Sequence, residues 1–366
     1  MKLRFTKEKF LDGLQQVLNV VSTRSTLPIL SNVLIRAEKG GVSLTTTDLD
    51  IGVRCRLQAE VVGEGSTTLP ARRLFAIIRE MAATDIEIEV DEKNVATIQG
   101  GPSHFRVLGL PESEFPPFPK VDGAHAVTLE QKALRDLLRR TSYAMSTDES
   151  RFVLNGILMS FKDDKLVVVA TDGRRLALAE QEVELSKDCK QDLIVPNKTV
   201  VEVARLLEDK GNVKIAFSDS QVLFEIGGAE LASKLVEGIY PNYRQVIPPE
   251  TKVVIPLERE ALLQAVHRAA LLTNEKNQAV RLQFTRNKLT ITASAPELGE
   301  SRESLAVNYS GPEIAIGFNP AFLMDPLRNI ENDEVRLELT DEYSPGVLKI
   351  KEPFLYVIMP LRGGTA

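Results

Sequence analysis

A chain of 366 residues is long enough for two or three domains with sizeable cores, and 43% hydrophobic with 26% charged content is ordinary globular composition. No apolar run approaches the roughly 20 residues needed to cross a bilayer. The opening MKLRFTKEKF lacks the apolar core and cleavage site of a secretory leader, and Cys55 and Cys189, the only cysteines, are expected as buried thiols in a reducing cytoplasm. A formal charge of −6 argues against a strongly basic nucleic-acid binder, unless the charge is segregated.

TKEKFLDGLQQVLNV, from Thr6, has apolar residues at helical spacing and predicts an amphipathic helix capped by Thr6. Strand text follows in LPILSNVLI, then the hairpin signal EKGG, then LTTTDLDIGVRC (Leu44 to Cys55), a strand broken by a polar corner. LPARRLFAIIREM, from Leu69, reads as a second helix, IEIEV and VATIQ as a strand pair, and PESEFPPFPK as an extended linker.

The plan then repeats. TLEQKALRDLLRRTS predicts a helix capped by Thr128; RFVLNGILM, KDDK and VATDGRRLALAE (Val169 to Glu180) repeat the strand, the hairpin and the interrupted strand. Asn155 answers Asn32, and Asp172 answers Asp48. VPNKTVVEVARLLEDK, from Val195, is the second helix of this copy, VKIAF and VLFEI its strand pair, and YPNYRQVIPP its linker. In the third round the helix LEREALLQAVHRAALL, from Leu257, precedes AVRLQFT, TRNK and LTITASAPELGE, which has lost the polar corner. FNPAFLMDPLRNI follows from Phe318, and Pro326 is expected to kink or end that helix. VRLEL and VLKI close the round. Each copy therefore has two helices and about eight strands in roughly 120 residues, an ordinary domain size. The domains are expected at 1–122, 123–252 and 253–366.

The predicted helices are the less acidic part of an acidic chain. Residues 70–81 and 128–142 are net positive, and the other helical segments are neutral. Charge alone leaves two readings open: solvated helix faces, or helices turned toward a polyanion while acidic strands face solvent.

The search for chemistry is negative. His104, His125 and His267 are scattered and match no metal-ligand spacing. GEGSTT lacks the lysine and spacing of a phosphate loop, and GPSHF has Phe105 where a nucleophile elbow needs glycine. Asp48 and Asp50 would share a face on a regular strand, but solvent-facing turn carboxylates are the simpler reading. Asp163 and Asp164 read as hairpin-turn residues. TDGRR alone reads as a turn or bulge. Beside it stand two further features: the aromatic–proline corner YPNYRQV and the run FLYVIMPLR, which reads either as a core strand or as the lining of an adaptable apolar groove. No catalytic residue, metal or cofactor is expected.

TLPILSNVLI, TTTDLDIGV, LPARRLF, ESRFVLNGIL, VATDGRRLA, IVPNKTVVEVARLL, SKLVEGIYPNYRQVIP, LTNEKNQAVRL, IGFNPAFL and YVIMPLR run in order through the whole chain. Together they resemble the bacterial sliding clamps, the beta subunits of DNA polymerase III. The resemblance implies an α+β fold of three repeated clamp domains, each two helices packed on antiparallel sheets. A head-to-tail dimer would form a six-domain ring around duplex DNA, helices lining the hole. It implies a non-catalytic processivity factor that tethers the replicative polymerase. The clamp loader, other polymerases and repair proteins would be recruited through short linear peptides. DNA contacts would be phosphate-directed and indifferent to sequence.

By the same resemblance, Arg24, Arg72, Lys198 and Lys276 face DNA. Phe152 and Val153 stand where family members carry paired tyrosines, which puts a DNA contact in that loop in doubt. The peptide pocket would have an apolar subsite of Leu154, Thr171, Gly173, Arg174, Arg175, Leu176, Pro241, Val246, Val357 and Met359. The adjoining subsite would use Arg151, Phe152, Asn319, Phe322, Ser344, Pro360, Leu361 and Arg362. Arg174 replaces a histidine of other members, and TTDLDIG in the first copy lacks the arginine pair. The dimer contact would use Phe105, Val107, Leu271 and Leu272, with Arg73 and Arg106 facing Glu297, Glu300 and Glu303. Two other readings compete: a peptide-recognition module that encloses nothing, and an enzyme built on Asp48, Asp50 and Asp172.

Overall fold

The computed structural model describes residues 1–22, 27–119, 121, 125–186, 189–274 and 278–361; Arg24, Lys276 and Arg362 lie outside these. Three rounds of one element order make up the chain. The first is β1 (Lys2–Thr6), α1 (Lys7–Leu18), β2 (Asn32–Glu38), β3 (Gly41–Thr47), β4 (Ile51–Leu57), β5 (Glu60–Gly63), β6 (Gly65–Pro70), α2 (Ala71–Glu80), β7 (Asp85–Val90), β8 (Val95–Gly100) and β9 (Ser103–Leu108). The second is β10 (His125–Glu130), α3 (Gln131–Thr141), β11 (Gly156–Lys162), β12 (Lys165–Thr171), β13 (Arg175–Glu182), β14 (Gln191–Pro196), α4 (Asn197–Leu206), β15 (Asn212–Phe217), β16 (Gln221–Ile226) and β17 (Ala229–Lys234). The third is β18 (Val253–Glu258), α5 (Arg259–Ala270), β19 (Val280–Thr285), β20 (Lys288–Ala295), β21 (Gly299–Ala306), β22 (Ile314–Phe318), α6 (Pro320–Asn329), β23 (Glu334–Leu339), β24 (Gly346–Lys349) and β25 (Phe354–Ile358).

The helix starts differ from expectation. Thr128 lies inside β10, opposite Lys214, and α3 begins only at Gln131. Thr6 does occupy the N-cap position, but its side chain makes no capping bond. The reason is the same in both copies: a strand runs straight into the helix, so a neighbouring carbonyl serves the first helical N–H. Lys7 N–H donates to the Thr84 carbonyl at 2.7 Å, Gln131 N–H to Gly211 at 2.9 Å and Arg259 N–H to Asp333 at 2.8 Å.

Two compact units form, Met1–Leu134 with Val201–Leu235 and Arg135–Val200 with Val236–Ala366. The first holds a five-stranded sheet, β5-β1-β7-β8-β9, and an eight-stranded sheet, β10-β15-β16-β17-β4-β3-β2-β6. In the larger sheet β17, the last strand of the second copy, lies antiparallel on β4 of the first, with Leu231 opposite Val53. The second unit holds β14-β11-β12-β13-β25-β24-β23-β18 and β21-β20-β19-β22. Here β25, the last strand of the third copy, lies antiparallel on β13 of the second, with Val357 opposite Leu176. The strands equivalent to these partners, β9 and β21, are both sheet edges.

Helix ends are closed by long-range partners. In the first unit Arg205 donates to the Gln16 carbonyl at 2.6 Å and the Thr46 hydroxyl to the Val17 carbonyl at 2.6 Å, satisfying carbonyls in the last turn of α1. In the second unit Pro326 does not end α6, which continues to Asn329. Proline lacks the N–H that would serve the Phe322 carbonyl, and the Tyr356 hydroxyl donates there instead at 2.7 Å. The linkers are also more structured than extended text suggests. Phe115 is buried with Ile29, Leu30 and Leu34, and the Arg54 guanidinium lies 4.4 Å over the Phe118 ring. Tyr240 and Tyr243 are buried in the second unit, because their rings carry more apolar area than an exposed linker tolerates.

Candidate functional site

The polar corner is a side-chain-built turn. The Asp172 carboxylate accepts from the amides of Arg174 at 2.9 Å and Arg175 at 3.1 Å. The Thr171 hydroxyl accepts from Gly173 N–H at 3.1 Å and donates to the Arg175 carbonyl at 2.6 Å. Gly173 sits at φ +86, where a side chain is disfavoured. The first copy makes the same four bonds: Asp48 accepts from Asp50 and Ile51, and Thr47 accepts from Leu49 and donates to Ile51. Its left-handed position is taken by Leu49, at φ +84. The carboxylates of Asp48 and Asp172 are thus turn acceptors, and exposed Asp50 pairs with Lys234 at 3.0 Å. Asp163 and Asp164, both at φ +54, form the hairpin turn expected of them.

Arg175 is a hub rather than a surface residue. Its side chain is only 10% exposed; it pairs with Asp172 at 3.1 Å and with Asp325, and it donates to the Tyr143 carbonyl at 2.6 Å. Its guanidinium lies 4.4 Å over the Phe322 ring. Burial works against its charge, but the two carboxylates outweigh that and raise its pKa further. Burial first of all pushes the Tyr143, Tyr240 and Tyr356 hydroxyls well above the usual phenol range, helped by the nearby Asp325 carboxylate at Tyr143 and Tyr356, so all three stay neutral.

Around this hub the second unit gathers most of the expected pocket. Leu176 and Val357 form a buried floor with Leu158, Val169, Ile194, Tyr240 and Tyr243, and Leu154 and Val153 pack against it. Phe152, Val246, Met359 and Leu361 stay 60%, 47%, 42% and 39% exposed, a large apolar share for one surface. Main-chain bonds hold the C-terminal wall: Met359 N–H donates to the Arg174 carbonyl at 3.0 Å and Leu361 N–H to the Gly317 carbonyl at 2.9 Å. Arg151 reaches the Asp172 carbonyl at 3.2 Å, leaving Gly173 and Arg174 exposed. Asn319 caps α6 by accepting from Ala321 N–H at 2.9 Å, and Ser344 N–H donates to Asp341 at 2.7 Å just before β24. Pro241 is exposed and Pro360 half-buried. A wide concavity of about 750 Å³ in the first unit is lined instead by Arg4, Lys9, Glu60, Asp85 and Glu87, and includes none of these residues.

The other expected residues are surface groups, with exceptions. Arg72 and Lys198 are exposed in the first turns of α2 and α4. Arg73, Arg106, Glu297 and Glu300 are exposed, Phe105 is 37% and Leu271 68% exposed, and Leu272 is half-buried. Val107 is buried at 6%, so it has no side-chain surface left for a second chain. Glu303 already pairs with Arg268 at 2.6 Å. Leu108, next to Val107, is 73% exposed; strand alternation puts it on the opposite face.

Three family profiles match in chain order: "DNA polymerase III beta subunit, N-terminal domain" over residues 1–119, its central domain over 128–242 and its C-terminal domain over 244–362. The chain belongs to the DNA polymerase III beta-subunit family. Its curated relatives include the beta sliding clamps of Chlamydia muridarum, 36% identical over 99% of both chains, and Pseudomonas putida, 37% identical over 99% of this chain and 100% of the relative. Among solved structures, the Pseudomonas aeruginosa sliding clamp bound to griselimycin matches with a TM-score of 0.95 at 35% identity, over 99% of this chain and 100% of the other. The Bacillus subtilis clamp matches with a TM-score of 0.96 at 30% identity, over 100% of both. As a beta sliding clamp the chain is a non-catalytic processivity factor for DNA polymerase III, built from three clamp domains.

Proposed function

We propose that two copies close head to tail into a six-domain ring around duplex DNA, and that the groove of the second unit docks the linear peptides of polymerases, clamp loader and repair proteins. One observation carries the ring. The last strand of the second copy pairs with the strand after the first copy's corner, and the last strand of the third with the strand after the second's. The same rule assigns β9 of one chain to β21 of another, two edges that would otherwise invite uncontrolled pairing. Heterologous contacts that close on themselves make rings.

Each domain, with limits at 1–122, 123–252 and 253–366, contributes two helices to the lining. Arg24, Arg72, Lys198 and Lys276 meet phosphates without reading sequence, so binding is salt-sensitive. A ring held by topology raises the local concentration of a tethered polymerase, a gain of about 10² to 10⁴ in avidity. The seam joins Phe105 and β9 to Leu271 and Leu272, with Arg73 and Arg106 facing Glu297 and Glu300; such charges set register and on-rate. The buried, unpaired cysteines fit a reducing cytoplasm.

The experiment is release from DNA of different topology. Protein loaded on a nicked circular plasmid should stay bound through gel filtration and dissociate once the plasmid is linearised. Equal retention on both forms would overturn the ring. A compact monomer at micromolar concentration would favour the peptide-recognition module instead.

A further inference from the structure

We infer that the outer face of the seam is sealed by an apolar pair, Leu108 of one copy against Leu298 of the other. The inference rests on the ring reading and adds its register. Val53, Ala177 and Ser301 are equivalent, because each lies opposite a residue equally far past the preceding hairpin: Thr46, Ala170 and Ala293. Val53 faces Leu231 and Ala177 faces Tyr356. Phe105 stands as far past its own hairpin as Leu231 does past its hairpin, since Gly100 pairs with Ser103 as Ile226 pairs with Ala229. Phe105 therefore belongs opposite Ser301. Antiparallel pairing then sets Arg106 opposite Glu300 and Leu108 opposite Leu298.

Two independent features agree with this register. The first is facing. Phe105 shares a strand face with buried Val107, which is the inward face of β9. Ser301 and Glu303 mark the inward face of β21, because both bond to α5, at Ala269 and Arg268. Inward meets inward only if the register is even, as it is here; a one-residue slip would set Phe105 against outward Glu300 or Arg302. The second is chemistry. Opposite charges fall together at Arg106 and Glu300, and Leu108 and Leu298, 73% and 52% exposed in the single chain, fall together beside them. An exposed leucine at the end of edge strand β9, and another in the turn leading into edge strand β21, are otherwise a liability, and a second copy of this chain is the surface that covers both.

The test is disulfide trapping. In a chain carrying Leu108→Cys and Leu298→Cys, mild oxidation should give a covalent dimer on a non-reducing gel, because the equivalent residues just before β4 and β13, Asp50 and Arg174, bond main chain to main chain with the facing strand end, a spacing within the Cα range of a disulfide. Each single variant should not cross-link, since Cys55 and Cys189 are buried. Leu108→Ser, at an exposed site, should raise the dimer dissociation constant by about tenfold or more, since each ring has two seams. If the wild type sediments as a dimer while the double cysteine chain stays uncross-linked, or Leu108→Ser leaves the constant unchanged, the pair is wrong and the ring stands. A wild type that sediments as a monomer removes the ring itself.

Discussion

The Tyr356 hydroxyl donates at 2.7 Å to the Phe322 carbonyl, the one carbonyl in α6 that Pro326 cannot serve. A helix-breaking residue is thus accommodated by a side chain of the C-terminal strand, and Phe322 keeps its place beneath Arg175. Tyr356→Phe should destabilise the protein by about 1–3 kcal/mol, the cost of an unserved carbonyl shielded from water. Adding Pro326→Ala should recover part of that loss, because alanine restores the N–H. Urea unfolding of the two single variants and the double variant gives the coupling directly; strictly additive effects would dissociate the proline from the tyrosine.

Arg175 joins β13 to α6 through Asp172 and Asp325. Arg175→Ala should cost about 3–5 kcal/mol, since it leaves Asp325 facing an empty site. Arg175→Lys should rescue little, because an ammonium cannot reproduce a fork that meets two carboxylates and a carbonyl at once. Thermal unfolding distinguishes this from a pocket-lining role. A variant of unchanged stability that loses only peptide binding would return Arg175 to the surface.

Which of these features were readable beforehand follows from range. The repeat and the paired corners were legible because spacing and alternation are local, and Thr47-Asp48 and Thr171-Asp172 stand at equivalent places in the repeat. The role of Arg175 was not: its partner Asp325 is 150 residues away, and an arginine beside a turn reads as solvated. Thr128 looked like a cap because threonine before an apolar stripe ordinarily is one; only pairing with Lys214 shows that the strand continues past it. That Val107 turns inward and Leu108 outward is a matter of strand parity, which a short edge strand with mixed polar and apolar residues does not declare.

The two corners differ at one position that should be separable by mutation. Leu49 at φ +84 holds a conformation that Gly173 adopts freely. Leu49→Gly should be neutral or stabilising by up to about 1 kcal/mol, and Gly173→Ala destabilising by a similar amount. Gly173→Ala should also weaken peptide binding, since the corner at φ +86 must shift to take a side chain and Gly173 is exposed at the groove. Chemical denaturation and a peptide titration read these separately. A Leu49→Gly chain markedly less stable than wild type would mean that the half-exposed leucine packs better than its backbone strain costs.

Burial pushes the Cys55 thiol up to about 12, and its Sγ donates to the Gly13 carbonyl at 3.4 Å. The raised value favours the protonated form in the folded chain. Stability from this group is therefore complete below the unfolded thiol value of about 8.5 and declines as pH rises toward 12. The slope contributed should reach at most about 1.4 kcal/mol per pH unit. Urea midpoints between pH 8 and 11 should fall less steeply for Cys55→Ala than for wild type. Parallel slopes, or rapid alkylation of Cys55 in the native protein at pH 9, would show that the thiol is not sequestered.

The C-terminal wall allows the most direct test of the docking groove. Ending the chain at Ile358 keeps β25, with Val357 still opposite Leu176, but removes the amides by which Met359 and Leu361 bond to Arg174 and Gly317. The buried floor should survive, so the fold and the dimer should persist. The exposed apolar rim at Met359 and Leu361 disappears, and with it one side of the groove. Binding of a fluorescent polymerase-derived peptide should fall by at least about tenfold, a loss of about 1.4 kcal/mol or more. Loading onto nicked circular DNA should fail in parallel if the loader uses the groove proposed for it. Full peptide affinity in the shortened chain would move the docking site away from the corner of Asp172 and Gly173.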